Sequence, residues 1–145
     1  MSERNQHGAT VPQVVVRVLL AAFMATAGIG HLVATETFRA QVPSWMPFPT
    51  WVIWVSGVVE LAFALALLFA PSARRPLVGW VLAAFYVAVF PGNVSQFVTG
   101  TPAFGLDSDG ARLARLFFQP VLVALALWCT GAYAAWRHRA RPTQA

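Results

Sequence analysis

The sequence predicts an all-α integral membrane four-helix bundle, and three observations carry that prediction. Apolar residues make up 58% of the 145 positions, charged residues only 10%, and mean hydropathy is +0.62. A soluble domain carries about a quarter charged residues, so this deficit argues against one. Disorder needs the opposite composition, low hydrophobicity with high net charge. Four runs reach the roughly 20 mostly apolar residues that a membrane helix requires. They fall near Val14–Ala34, Trp51–Ala70, Leu77–Gln96 and Leu116–Trp136, and together they predict one membrane domain over the whole chain.

The breaks between the runs are physically sensible. Pro43, Pro47 and Pro49 interrupt the first connection, and Pro71 and Pro76 bracket a short turn. Pro102, Gly105 and Gly110 fill the third connection with Asp107 and Asp109. Proline removes a helical donor and glycine favours turns, so such clusters mark loops.

All ten basic residues are arginine, and they flank the apolar runs. They form no stripe of the kind that nucleic acid needs, so no nucleic-acid partner is expected despite a pI of 11.1. Arginine beside a span acts as a topology signal. One side holds Arg4, Arg17, Arg74, Arg75, Arg137, Arg139 and Arg141; the other holds Arg39, Arg112 and Arg115, diluted by Glu36, Asp107 and Asp109. The richer side predicts a cytoplasmic face, with both termini inside and the chain in the cell membrane. Arg17 reads as an inner anchor on this scheme. Trp45, Trp51, Trp54, Trp80, Trp128 and Trp136 suit interfacial belts or packing. A rival reading takes Arg17, the apolar run after it and Ala25-Thr26-Ala27 as a cleaved signal peptide. Apolar sequence continues through Ile29, Leu32 and Val33, which favours a retained helix.

Few residues at membrane depth are polar, and those few carry the functional signal. Glu60 lies near the centre of the second run. A charged carboxylate at that depth costs roughly 2.5–3.5 kcal/mol on insertion scales, so it must be protonated, paired or facing water. Ser56 lies one turn away on the same face. His31 is near the outer end of the first run, and Asn93 and Gln96 close the third. Tyr86 shares a stripe with Asn93, seven residues on. Arg115 and Gln119 open the fourth run, four apart. Each helix thus contributes polar groups at the same end, which predicts a shared pocket of His31, Ser56, Glu60, Asn93, Gln96, Arg115 and Gln119.

Taken singly, Asn, Gln, Ser and His serve as interhelical glue worth about 0.6 kcal/mol each. Arg115 alone reads equally as a boundary charge that snorkels to the surface. Small residues at four-residue spacing, Ala22/Thr26/Gly30 and Ala126/Thr130/Ala134, read as helix-packing stripes. The single cysteine, Cys129, permits no internal disulfide. Asp107 and Asp109 read as solvated loop charges, and no metal site is expected from them. Walker, Rossmann, nucleophile-elbow and HExxH patterns are absent from the sequence.

Several segments, in order, resemble a known family. They are Ala27-Gly28-Ile29-Gly30-His31-Leu32; Val42-Pro43-Ser44-Trp45-Met46-Pro47; Trp54-Val55-Ser56-Gly57-Val58-Val59-Glu60; Phe90-Pro91-Gly92-Asn93; and Arg115-Leu116-Phe117-Phe118-Gln119. This order is similar to that of the DoxX family of small four-helix membrane proteins, over roughly Gly28 to Trp128. The family's usual HF stands here as His31-Leu32, its FPAN-like segment as Phe90-Pro91-Gly92-Asn93, and its RLPLQ-like segment lacks the proline. None of these departures removes a polar group. The resemblance implies a compact bundle in the cytoplasmic membrane. It also implies association with membrane oxidoreductase systems, with a quinone as the candidate cofactor.

Three functions compete on this sequence. One is an accessory subunit of a quinone-linked redox system, with a redox protein or a second copy as partner. The second is a small proton-linked transporter that uses Glu60. The third is a structural or assembly protein without chemistry. No cofactor motif is visible, so a subunit is expected ahead of a free-standing enzyme.

Overall fold

A computed structural model describes residues 8–102, 105 and 107–140. Among them the chain forms six helices and no strand: α1 (Val11–Val33), α2 (Thr35–Arg39), α3 (Pro49–Phe69), α4 (Arg75–Thr99), α5 (Asp109–Cys129) and α6 (Ala132–Ala140). Helices α1, α3, α4 and α5 are each long and apolar enough to cross a membrane, and the protein is a multi-pass membrane protein. Arg4 and Arg141, part of the orientation argument, lie outside the described residues.

The helices begin where local chemistry satisfies their first turns. The Thr10 amide donates to Gln13 Oε1 at 2.9 Å, and a proline stands in the first turn of α1, α3 and α4. Ser108 caps α5, its Oγ accepting from the Ala111 amide at 3.2 Å. That cap corrects the expected fourth run of 116–136. The helix starts seven residues earlier, at Asp109, and stops at Cys129. Gly131, at φ +75°, turns the chain there, so Trp136 belongs to the separate helix α6.

Packing groups the spans into two hairpins. Helix α1 packs most extensively on α3, and α4 on α5. Contacts of α1 with α5 and of α3 with α4 are sparser, and close the four into an up-and-down ring. The α1–α3 crossing is the tightest. A Cβ added at Gly28 would stand 2.7 Å from the Gly57 carbonyl oxygen, and one added at Gly57 would stand 2.8 Å from His31 Cβ. Only glycine permits that approach, as in the small-residue interfaces of membrane helices. The stripe Ala22/Thr26 does not serve this purpose. Both residues face outward, and Thr26 Oγ1 donates to its own helix at the Ala22 carbonyl, 2.9 Å away. Ala21, Met24 and Gly28 make the buried face instead. Ala126 and Thr130 of the second stripe are buried, whereas Ala134 is exposed.

A contiguous apolar core fills the half of the bundle nearest α6. It includes Leu20, Met24, Leu67, Leu82, Leu122 and Cys129. Large apolar side chains such as Leu19, Val58, Leu65, Val81 and Phe117 cover the outside, as lipid requires. Replacing Gly57 by alanine is expected to force α1 and α3 apart and to cost about 1–3 kcal/mol, the range for overpacking a tight contact. Thermal unfolding in detergent, read by near-UV circular dichroism, measures this; an unshifted midpoint would refute the tight crossing.

Candidate functional site

The other half of the bundle, nearest α2, encloses a cavity of about 280 Å³ between the two hairpins. Each hairpin presents one polar pair to it. In the first hairpin the glycine crossing sets the end of α1 against the middle of α3. His31 Nδ1 and Glu60 Oε2 meet there at 2.6 Å, with side chains only 13% and 11% exposed. The partner that Glu60 needs at membrane depth is therefore His31. Ser56, one turn before Glu60, also lines the cavity.

In the second hairpin, Asn93 Nδ2 donates to Gln119 Oε1 at 2.9 Å, and Gln119 Nε2 donates to the Tyr86 carbonyl at 2.7 Å. Prolines flank this arrangement. Pro91 lies inside α4 and Pro120 inside α5. A proline withdraws the donor that the carbonyl four residues earlier would use and pushes that turn open. For Pro91 that carbonyl belongs to Val87; the Gln119 side chain donates to its neighbour, the Tyr86 carbonyl. Broken helices at membrane depth are tolerated where they line protein or a cavity.

Arg115 lines the same wall, and its NH1 lies 3.4 Å from Gln96 Oε1. Gln96 was expected in the pocket; it stands behind it instead. It is 1% exposed and directs Nε2 to the Thr101 carbonyl at 3.3 Å. The remaining six predicted residues, His31, Ser56, Glu60, Asn93, Arg115 and Gln119, all line the cavity.

The segment from α2 to α3 forms a roof that the polar residues alone did not reveal. Phe38 packs on His31 with ring centroids 3.9 Å apart and planes tilted by 51°, and Gln41, Trp45 and Met46 also reach the cavity. Gln41 Nε2 is buried without a hydrogen-bond partner among the described residues. The backbone carbonyl oxygen of Gln41 would lie 2.8 Å from a Cβ at Gly92, so the glycine of Phe90-Pro91-Gly92-Asn93 makes room for the roof. Trp54 Nε1 donates to Thr35 Oγ1 at 3.0 Å and Arg39 NH2 to Thr50 Oγ1 at 2.9 Å, tying α2 to α3. Arg39 also pairs with Glu36 at 2.9 Å and holds that carboxyl below its ordinary range by a direct hydrogen bond and by charge.

Residues 20–130 match the model of a family described as a domain of unknown function, DUF8561. The chain belongs to that family. The DUF8561 match takes in every cavity residue and leaves out Arg17 and α6. Neither the curated proteins nor the solved structures include a significant match.

Within this DUF8561 bundle, Gln119→Leu strands the Asn93 side-chain amide and takes one donor from the Tyr86 carbonyl. The expected cost is about 1–3 kcal/mol, that of buried polar groups left unpaired. Differential scanning fluorimetry in detergent measures it, and a variant melting with wild type would count against the network.

Proposed function

We propose that the protein is a non-catalytic, quinone-binding accessory subunit of a redox system in the cell membrane. One observation carries this reading: a mostly apolar cavity with polar pairs on two facing walls, His31–Glu60 on one and Asn93–Gln119 on the other. The volume of about 280 Å³ is at the small end for ligand sites. It suits the ring of an amphiphile whose chain stays in lipid. Phe38, Phe85 and Tyr86 offer faces for a flat ring. Arg115 and the amides offer donors to carbonyl oxygens, and the His31–Glu60 pair can pass a proton between Nδ1 and Oε2 at their 2.6 Å separation. A bound quinone would supply the electron-accepting chemistry, and the electrons would come from a partner redox protein.

The resemblance to the DoxX segment order supports the same assignment. The arginine distribution supports a cytoplasmic-membrane location with both termini inside, which sets the cavity toward the outer face. The apolar packing of Leu20, Met24, Leu67 and Leu82 below the cavity supports a dead-end site over a proton-linked path through the bundle.

The test is titration of the detergent-purified protein with a short-chain ubiquinone or menaquinone analogue, read by quenching of tryptophan fluorescence. Saturable binding is expected, weakened about tenfold or more by Glu60→Gln together with His31→Phe, because a buried partner is lost. Absence of saturable binding in wild type would remove the quinone reading. Proton uptake by proteoliposomes that depends on Glu60 would replace it with the transporter reading.

A further inference from the structure

The far end of the bundle from this cavity carries a buried cation that makes no ion pair among the described residues. Arg17 lies in the second turn of α1 and is 7% exposed, so it is not the surface anchor its position in sequence suggests. Its Nε and NH1 are buried with no hydrogen-bond partner among the described residues. The carbonyls where α5 ends are already engaged. Trp128 accepts from Gln13 Nε2 at 3.0 Å and from the Gly131 amide at 3.1 Å, and Ala126 accepts from Thr130 Oγ1 at 2.7 Å. Arg75 opens α4 at the same corner: Gly79, one turn on, packs against Thr130 and Ala132, beside the Trp128 carbonyl that Gln13 of α1 reaches. Arg75 commits its Nε to the Ala70 carbonyl at 3.1 Å.

Among the described residues no ion pair offsets these two arginines. Among the described residues the acidic side chains are Glu36, Glu60, Asp107 and Asp109, and all lie in or toward the α2 half. Arg74 adds a further exposed charge at the same end. A buried guanidinium beside a like charge is costly unless an anion joins them. Arginine's planar fork matches a phosphate oxygen pair. Arg17 stands six residues into α1, about 9 Å along its axis at 1.5 Å per residue. A span that starts at the lipid headgroups therefore sets its backbone just beneath the phosphate layer.

We propose that Arg17 and Arg75 together bind a phosphate group, that of an anionic phospholipid at the α6 end of the bundle. This site is separate from the cavity and does not depend on the quinone reading. The headgroup ties the start of α1 to the α3–α4 turn, two elements that share no ion pair among the described residues. The charge asymmetry of the bundle makes this end the one that meets an anionic leaflet.

The experiment is native mass spectrometry of the full chain in a neutral detergent, titrated with phosphatidylglycerol, phosphatidylcholine or inorganic phosphate. Wild type is expected to retain one phosphatidylglycerol in preference to phosphatidylcholine, whose choline cation sits beside the same phosphate. Arg17→Gln and Arg75→Gln should each weaken that retention roughly tenfold, the loss of a charge-assisted hydrogen bond. Displacement of the lipid by millimolar inorganic phosphate supports the site and assigns it to phosphate from solution. Equal retention of the two lipids, or unchanged retention in Arg75→Gln, overturns the proposal. Arg75→Gln removes a half-buried rather than a buried side chain, so it keeps the test open if Arg17→Gln fails to fold.

Discussion

The site half of the molecule depends on one close contact, the crossing of α1 over α3 at Gly28 and Gly57. Membrane helices gain nothing from hiding apolar surface from one another, because lipid is equally apolar. Close packing and interhelical hydrogen bonds must hold them. The two glycines bring the backbones near enough that a short imidazole reaches a short carboxylate across the gap. The pair in turn makes Glu60 tolerable at its depth, since a lone ionised carboxylate there is expensive. Phe38 then closes over the imidazole, and the roof segment packs down on Gly92. Packing, pairing and cavity are one chain of cause.

The second hairpin reaches a comparable arrangement by other means. It has no glycine crossing at the level of Asn93 and Gln119. Prolines stand in α4 and α5 beside the amides instead, and Gln119 bridges the two helices from Asn93 to the Tyr86 carbonyl. The two hairpins thus carry an ionisable pair and a neutral amide pair on opposite walls. That difference has a chemical consequence: one wall can gain or lose a proton, while the other offers fixed hydrogen bonds. The weaker packing between hairpins than within them is where the cavity opens.

Much of this was legible in the sequence because lipid restricts the choices. Twenty apolar residues in a row have few alternatives to a spanning helix, so the four runs were readable from composition alone. The shared end of the polar residues followed from alternating direction, and six of the seven proposed residues line the cavity. What was hidden depended on rotation about a helix axis. In an ordinary soluble helix polarity marks the outer face, but here both faces are apolar, and Ala22/Thr26 resembled a packing stripe while pointing outward. Gln96 shared an end with Asn93 but points to the Thr101 carbonyl. The register of α5 was hidden because its first turns carry Asp109, Arg112 and Arg115, which a hydropathy reading assigns to a loop. Gln41 offered no signal, since only the folded roof brings it to the cavity.

Tyr86 shows how the two halves of the bundle are joined. Its carbonyl accepts from Gln119 in the polar half, while its hydroxyl donates to Met24 Sδ at 3.1 Å in the apolar core. Sulfur is a weak acceptor, so this bond is a modest anchor. It nevertheless satisfies a buried hydroxyl without admitting water, and so lets the core remain dry immediately below a polar cavity. A water chain linking the cavity to the opposite end would need polar partners along its course. Leu20, Met24, Leu67 and Leu82 supply none except that thioether. The core that stabilises the bundle therefore also decides what the cavity can do: a ligand that enters it must leave on the same side.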